Sequence, residues 1–117
     1  MTLTVRQHFT KAERLLKPKE FFLVRKRGKR VTTRSFTIYI LPTELKVRRL
    51  GLAVSGRVGN SVKRNRIKRL LREFFRLNKE KFPPSSDVMI SVRRGAELNG
   101  LKDVEREFGE VKRFFTG

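Results

Sequence analysis

The chain has 117 residues, enough for one domain with a modest core. It carries 30 Lys and Arg against 11 Asp and Glu, a formal charge of +19, so an anionic partner is the economical reading. It has no Cys, which excludes disulfides, thiolate metal sites and thiol catalysis. Ten Phe and no Trp suggest a core built around Phe. The charge is uneven: residues 1–96 balance at +20 and residues 97–117 at −1. The C-terminal segment is therefore expected to lie away from the anion or to serve packing. No apolar run approaches the ~20 residues of a membrane span, and no signal-type apolar region opens the chain. A cytoplasmic protein without a membrane partner is expected.

Residues 1–16 read as an irregular basic arm, in which His8 is an incidental polar residue. Lys17-Pro18 then starts a helix, with Pro suited to its first position. It runs through KEFFLVRKR to Gly28, read as the residue that ends it in a C′ position. Phe22, Leu23 and Val24 are expected in the core, and Phe21 is left open. Val31–Thr33 and Phe36–Leu41 follow as strands. Alternation puts Phe36, Ile38 and Ile40 on one face and Thr37, Tyr39 and Leu41 on the other. After a polar loop, 42–49, Leu50–Ser55 is the next strand, with Leu50, Leu52 and Val54 on one side. The strands around that loop are expected to pair as an antiparallel hairpin.

Gly59–Arg76, GNSVKRNRIKRLLREFFR, opens with turn residues and continues without Gly or Pro. Ile67, Leu70, Leu71 and Phe74 have the i, i+3, i+4, i+7 rhythm of an amphipathic helix. At about 100° per residue, Arg64, Lys68 and Arg72 rise in one column, with Asn65, Arg69 and Arg76 beside them. Beyond the breaker Phe82–Ser86, Asp87–Val92 reads as an apolar strand. A last amphipathic helix follows Asn99 or Gly100, with Leu101, Val104, Phe108, Val111 and Phe115 on one side and a solvated acidic face bearing Glu105 and Glu107. The order is α-β-β-β-α-β-α in a single α+β domain.

No metal-ligand cluster, paired carboxylates or GxxxxGK[ST] loop is present. Glu73 and Glu80 read as partners in helix ion pairs. What is present is a phosphate-reading surface. Lys and Arg neutralise phosphates and release counterions, and the Arg fork also grips phosphate or stacks on a base. Asn65, between Arg64 and Arg66, offers a neutral donor and acceptor for a base edge or a metal-bound water. Strands on both sides of the basic helix disfavour a helix-turn-helix, and Tyr39 on a sheet face suits stacking on an unpaired base. Composition alone leads to an RNA-binding α+β domain. It leaves open a ribosomal-type structural protein and, less well matched by topology, a DNA-binding regulator.

The run from Gly59 to Glu73 resembles the signature of the bacterial ribonuclease P protein subunit, whose hallmark is an Arg-Asn-Arg triplet, here Arg64-Asn65-Arg66. Arg14-Leu15, the early helix with Phe21 and Gly28, the strand Phe36–Tyr39, and Leu50-Gly51-Leu52-Ala53-Val54-Ser55 agree with that family. The resemblance implies a ribosomal protein S5 domain 2-like sandwich. Its central sheet would be mostly antiparallel, with a left-handed βαβ crossover, against the right-handed rule that holds in about 98% of cases. It implies a subunit that binds a catalytic RNA and the 5′ leader of precursor tRNA. The RNA would hold the active site and Mg²⁺, leaving this chain no catalytic or metal-binding residues. By position, Arg64, Asn65, Arg66, Lys68, Arg69 and Arg72 would face the catalytic RNA. Phe21, Arg25, Tyr39, Arg57 and Lys68 would form the leader cleft. Two departures stand out: many relatives carry an aromatic where this chain has Arg25, and Gly56-Arg57 leaves one basic residue where relatives often have two.

Overall fold

A computed structural model describes residues 11–15 and 17–111. The chain forms a 3₁₀ turn at Lys11–Glu13, helix α1 (Pro18–Arg27), strands β1 (Lys29–Thr32), β2 (Phe36–Pro42) and β3 (Arg49–Ala53), helix α2 (Ser61–Leu77), a 3₁₀ turn at Lys79–Lys81, strand β4 (Ser86–Val92) and helix α3 (Leu101–Gly109). The expected element order holds. His8 and Phe115 lie outside the described residues. The expected irregular arm meets a docked segment: Leu15 is buried, its N–H donates to Leu50 O at 2.9 Å, and Arg14 bridges Leu50 in parallel.

The four strands run in the order β1-β2-β4-β3. β1–β2 and β2–β4 are antiparallel, and β3–β4 is parallel. The expected β2–β3 hairpin is therefore wrong, because β4 lies between those strands. The cause is legible in β4 itself. Ser86 through Ile90 are all buried, and a strand buried on both faces belongs inside a sheet, where it pairs on both edges. The connection from β3 to β4 runs through α2, the length of crossover that parallel neighbours require.

The sheet buries both faces unequally. One face carries Phe36, Ile38, Ile40, Leu50, Val88, Ile90 and Val92 against Ile67, Leu71 and Phe74 of α2 and Val104 and Phe108 of α3. Phe supplies much of this core. Phe74 and Phe108 have centroids 4.5 Å apart, Phe36 and Phe108 5.6 Å, and Phe75 and Phe82 5.2 Å. The other face carries Tyr39, Leu41, Met89 and Ala53, packed with Leu15, Val24 and Phe21. Only α1 and the docked segment cover it.

α1 departs from its sequence reading. Val24 is buried, but Phe22 is 61% exposed and Leu23 40% exposed, so neither belongs to the core. A single-layer cover needs only one face of the helix, and Phe21 and Val24 already fill it. Gly28 has φ −74°, not a left-handed value. Its need for glycine is one of space: a Cβ there would lie 2.5 Å from Val24 O and 3.0 Å from Ile40 O. Glu107 also departs from the solvated role expected of it. It accepts from Thr33 Oγ1 at 2.7 Å, Ser35 N at 2.9 Å and Ser35 Oγ at 2.5 Å, tying α3 to the β1–β2 turn.

One ion triad fixes α1 on the sheet. Arg49 forks onto Asp87 with two bonds of 2.8 Å and reaches Glu20 of α1 at 2.9 Å. Asp87 raises the Arg49 pKa most, against the opposing effect of burial, and Glu20 adds to the rise. Arg49→Met leaves the buried Asp87 carboxylate without its cation. The expected loss is about 3–5 kcal/mol, read from urea unfolding at neutral pH.

Candidate nucleic-acid interface

α2 owes its start to Asn60, whose side-chain oxygen accepts from Lys63 N–H at 2.9 Å. From there the helical period does the sorting. Ile67, Leu71, Phe74 and Phe75 enter the core, while Asn65, Arg66, Arg69 and Arg72 are exposed and Arg64 and Lys68 lie between. Among the described residues, no carboxylate pairs with Arg64, Lys68, Arg69 or Arg72. At the far end of the helix, Glu73 does pair with Arg76 at 2.7 Å, as an i,i+3 bridge that lowers the Glu73 pKa. The Arg64 Nε–H is buried with no acceptor among the described residues. An unmatched buried donor costs about 1–3 kcal/mol, a cost that an arriving acceptor would relieve.

Arg66 and Lys63 are used differently. Arg66 donates to Leu98 O at 2.9 Å and to Asn99 O at 2.5 Å. Lys63 bridges Glu97 at 2.6 Å and holds its carboxyl below the usual carboxylate range. That link is fully present above the usual range and is lost only as pH falls further, through the lowered pKa. Of the two roles expected for the segment after residue 96, remoteness from the anion or packing, residues 97–99 take the packing one. This loop is strapped to the N-terminal half of α2, and the sequence carried no signal for the Arg66 part of the strap because its acceptors are backbone carbonyls.

A cleft of about 170 Å³ opens between the docked N-terminal segment, α1, β3 and α2, with Phe21, Gly51, Lys68 and Arg72 on its walls. Gly51 creates room for the aromatic wall. A Cβ there would lie 2.5 Å from Phe21 Cε1 and 2.8 Å from its Cζ. The pairing register continues this row across the sheet as Gly51, Met89, Tyr39 and Arg30. The next row on the same face is Ala53, Ser91, Thr37 and Thr32, small or hydroxyl-bearing and partly or fully exposed. Phe21 and Tyr39 thus pack on one minor core, and Lys68 joins Phe21 at the cleft. Arg25 is exposed on α1 and Arg57 is exposed in the turn after β3, and neither lines the cleft. Sequence reading missed Gly51, Met89, Arg30 and the hydroxyl row, because only the strand order reveals which residues become neighbours.

The family model described as Ribonuclease P matches residues 9–114. A ribonuclease P protein component from Syntrophus aciditrophicus is 44% identical over 99 residues, covering 85% of this chain and 83% of the relative. One from Geotalea uraniireducens is 42% identical over 103 residues, covering 88% and 90%. Among solved structures, the Staphylococcus aureus RNase P protein superposes with a TM-score of 0.79 at 31% identity, covering 89% of this chain and 95% of that one. The Thermotoga maritima RNase P protein superposes with a TM-score of 0.75 at 26% identity, covering 90% and 99%.

Gly51→Val tests the hollow beneath the aromatic wall. It should expel the Phe21 ring, cost about 1–3 kcal/mol as an overpacked site, and leave the secondary structure intact. A crystal structure of the variant with Phe21 unmoved would refute this account of Gly51.

Proposed function

The chain belongs to the ribonuclease P protein family, and on that premise we propose how it serves as the protein subunit of this endoribonuclease. It binds the catalytic RNA through α2 and holds the 5′ leader of precursor tRNA in the cleft beside it. The observation that carries this reading is the convergence of Lys68 and Arg72 with the aromatic wall of Phe21 in one cleft, next to Tyr39. Cations and an aromatic face together suit an unpaired strand, whose phosphates need neutralising and whose bases need a flat partner.

The roles divide along α2. Arg64, Asn65, Arg69 and Arg72 face the catalytic RNA, and Arg64 brings a donor already stripped of water and lacking an acceptor. A phosphate oxygen supplies that acceptor, so part of the desolvation cost is met before binding. Arg66 contributes to the same face while its guanidinium braces the 97–99 loop. Lys68 stands between the two functions. Phe21 and Tyr39 receive leader bases, with Arg25 and Arg57 as outlying cations that meet the strand beyond the cleft.

The reaction is hydrolysis of a phosphodiester bond at the 5′ end of the mature tRNA sequence. Among the described residues no three His, Asp or Glu gather to hold a metal ion. Mg²⁺ is assigned in this reading to the partner RNA. The protein's contribution is positioning and charge neutralisation, which favour the folded RNA and hold the substrate in place. No helix among the described residues is long and apolar enough to cross a membrane, and the cytoplasm is the proposed site of action.

Reconstitution tests this reading. Added to a cognate catalytic RNA and precursor tRNA at low Mg²⁺, the chain should stimulate 5′ cleavage; absence of stimulation would refute the assignment. Arg64→Ala with Lys68→Ala should weaken RNA binding and reduce the slope of log K against log salt by about 1–2. An unchanged slope would remove this face from the interface. Tyr39→Ala should lower affinity for precursor tRNA by about 1–3 kcal/mol while sparing mature tRNA, as expected for one lost base stack. Equal losses on both substrates would place Tyr39 outside leader recognition.

A further inference from the structure

The outward face of α1 is an exposed apolar feature that this function leaves unused. Phe22 is 61% exposed and Leu23 40% exposed, and with Pro18 and Lys19 they line an open hollow. Lys19, Phe22, Leu23 and Lys26 stand at i, i+3, i+4 and i+7, so they form one face with a cation at each end and an apolar centre. That face points away from the sheet, because Phe21 and Val24 occupy the opposite side of the helix. Lys26 Nζ lies 5.6 Å from the centroid of the Phe22 ring.

Charge selects the occupant. Every other exposed ionisable residue of α1 is basic: Lys19, Arg25, Lys26 and Arg27. The single acid, Glu20, is engaged by Arg49 at 2.9 Å. A second copy of a chain with net charge +19 would bring like charge against this rim. A polyanion that also presents flat apolar surfaces meets both requirements.

We propose that this face of α1 is a second docking surface for unpaired RNA, separate from the cleft on the other side of the helix. A base stacks on Phe22 with its edge over Leu23. The flanking phosphates take Lys19 and Lys26, which lie about 10 Å apart along the helix axis. The proposal rests on the RNA-binding reading above and extends it to a strand that passes behind α1. Pairing of Lys26 with a phosphate frees the Phe22 ring face for the base.

The test is fluorescence titration of the full chain with a short unstructured oligoribonucleotide carrying 2-aminopurine. Phe22→Ala with Leu23→Ser should weaken binding at least about fivefold, the lower end for one lost base–aromatic stack, with no change in salt slope. Phe22→Tyr should retain wild-type affinity. Lys19→Ala with Lys26→Ala should lower the salt slope instead. Both Phe22 and Leu23 are exposed, so circular dichroism should show an unaltered fold. Wild-type affinity in a folded Phe22→Ala, Leu23→Ser variant overturns the proposal. So does a wild-type dimer, seen by light scattering, that this variant dissolves while RNA affinity stays the same. Stimulation of precursor cleavage by the wild-type chain is scored separately, so loss of this surface and loss of the subunit reading give different results.

Discussion

A chain with a net charge of +19 must fold against its own repulsion, and it has only 11 carboxylates with which to do so. Their placement governs the rest of the structure. Asp87 and Glu20 meet on Arg49 and bind α1 to the sheet. Glu13 reaches Lys79 at 2.6 Å and joins the N-terminal turn to the segment after α2. Glu97 holds Lys63, and Glu107 holds the β1–β2 turn through Thr33 and Ser35. Each of these links joins elements distant in sequence. Apart from Glu97 on Lys63, the acids spent on these cross-links pair outside α2, and among the described residues no carboxylate pairs with Arg64, Lys68, Arg69 or Arg72. The links between distant elements therefore depend on a small set of carboxylates.

The two faces of the sheet divide the work. The face under α2 and α3 is thick, aromatic and closed, and it supplies most of the buried apolar surface. The face under α1 is thin, with a minor core around Leu15, Val24 and Met89, and it leaves Tyr39 and a row of hydroxyl-bearing residues partly open. A thin cover tolerates a cleft, because few packing contacts are given up to make one. Gly51 illustrates the economy: removing one side chain from β3 seats Phe21 and shapes the wall beside Lys68 and Arg72.

Much of this was legible in the sequence. The helical period separated the core and cationic faces of α2, and alternation in β2 placed Tyr39 opposite Ile38, as found. The Arg64-Asn65-Arg66 run identified the family before any fold was known. Three expectations failed for one shared reason. The β2–β3 hairpin, the burial of Phe22 and Leu23, and the solvation of Glu107 were all judged from neighbours in sequence. Each was decided by tertiary arrangement: β4 inserted between the strands, a cover only one helix thick, and a turn 72 residues from Glu107 at Ser35.

By itself the sequence determined the element types, the two-faced basic helix and the family. These depend on local periodicity, residue chemistry and a contiguous motif, which need no knowledge of the fold. The strand order and the union of Phe21, Gly51, Lys68 and Arg72 in one cleft were decided only by tertiary structure. So was the division of α2 cations between those that brace the 97–99 loop and those that no carboxylate pairs among the described residues. Side-chain neighbours across a sheet follow from register and strand order, and these are set by burying an apolar β4 on both faces, a condition that the whole chain must satisfy at once.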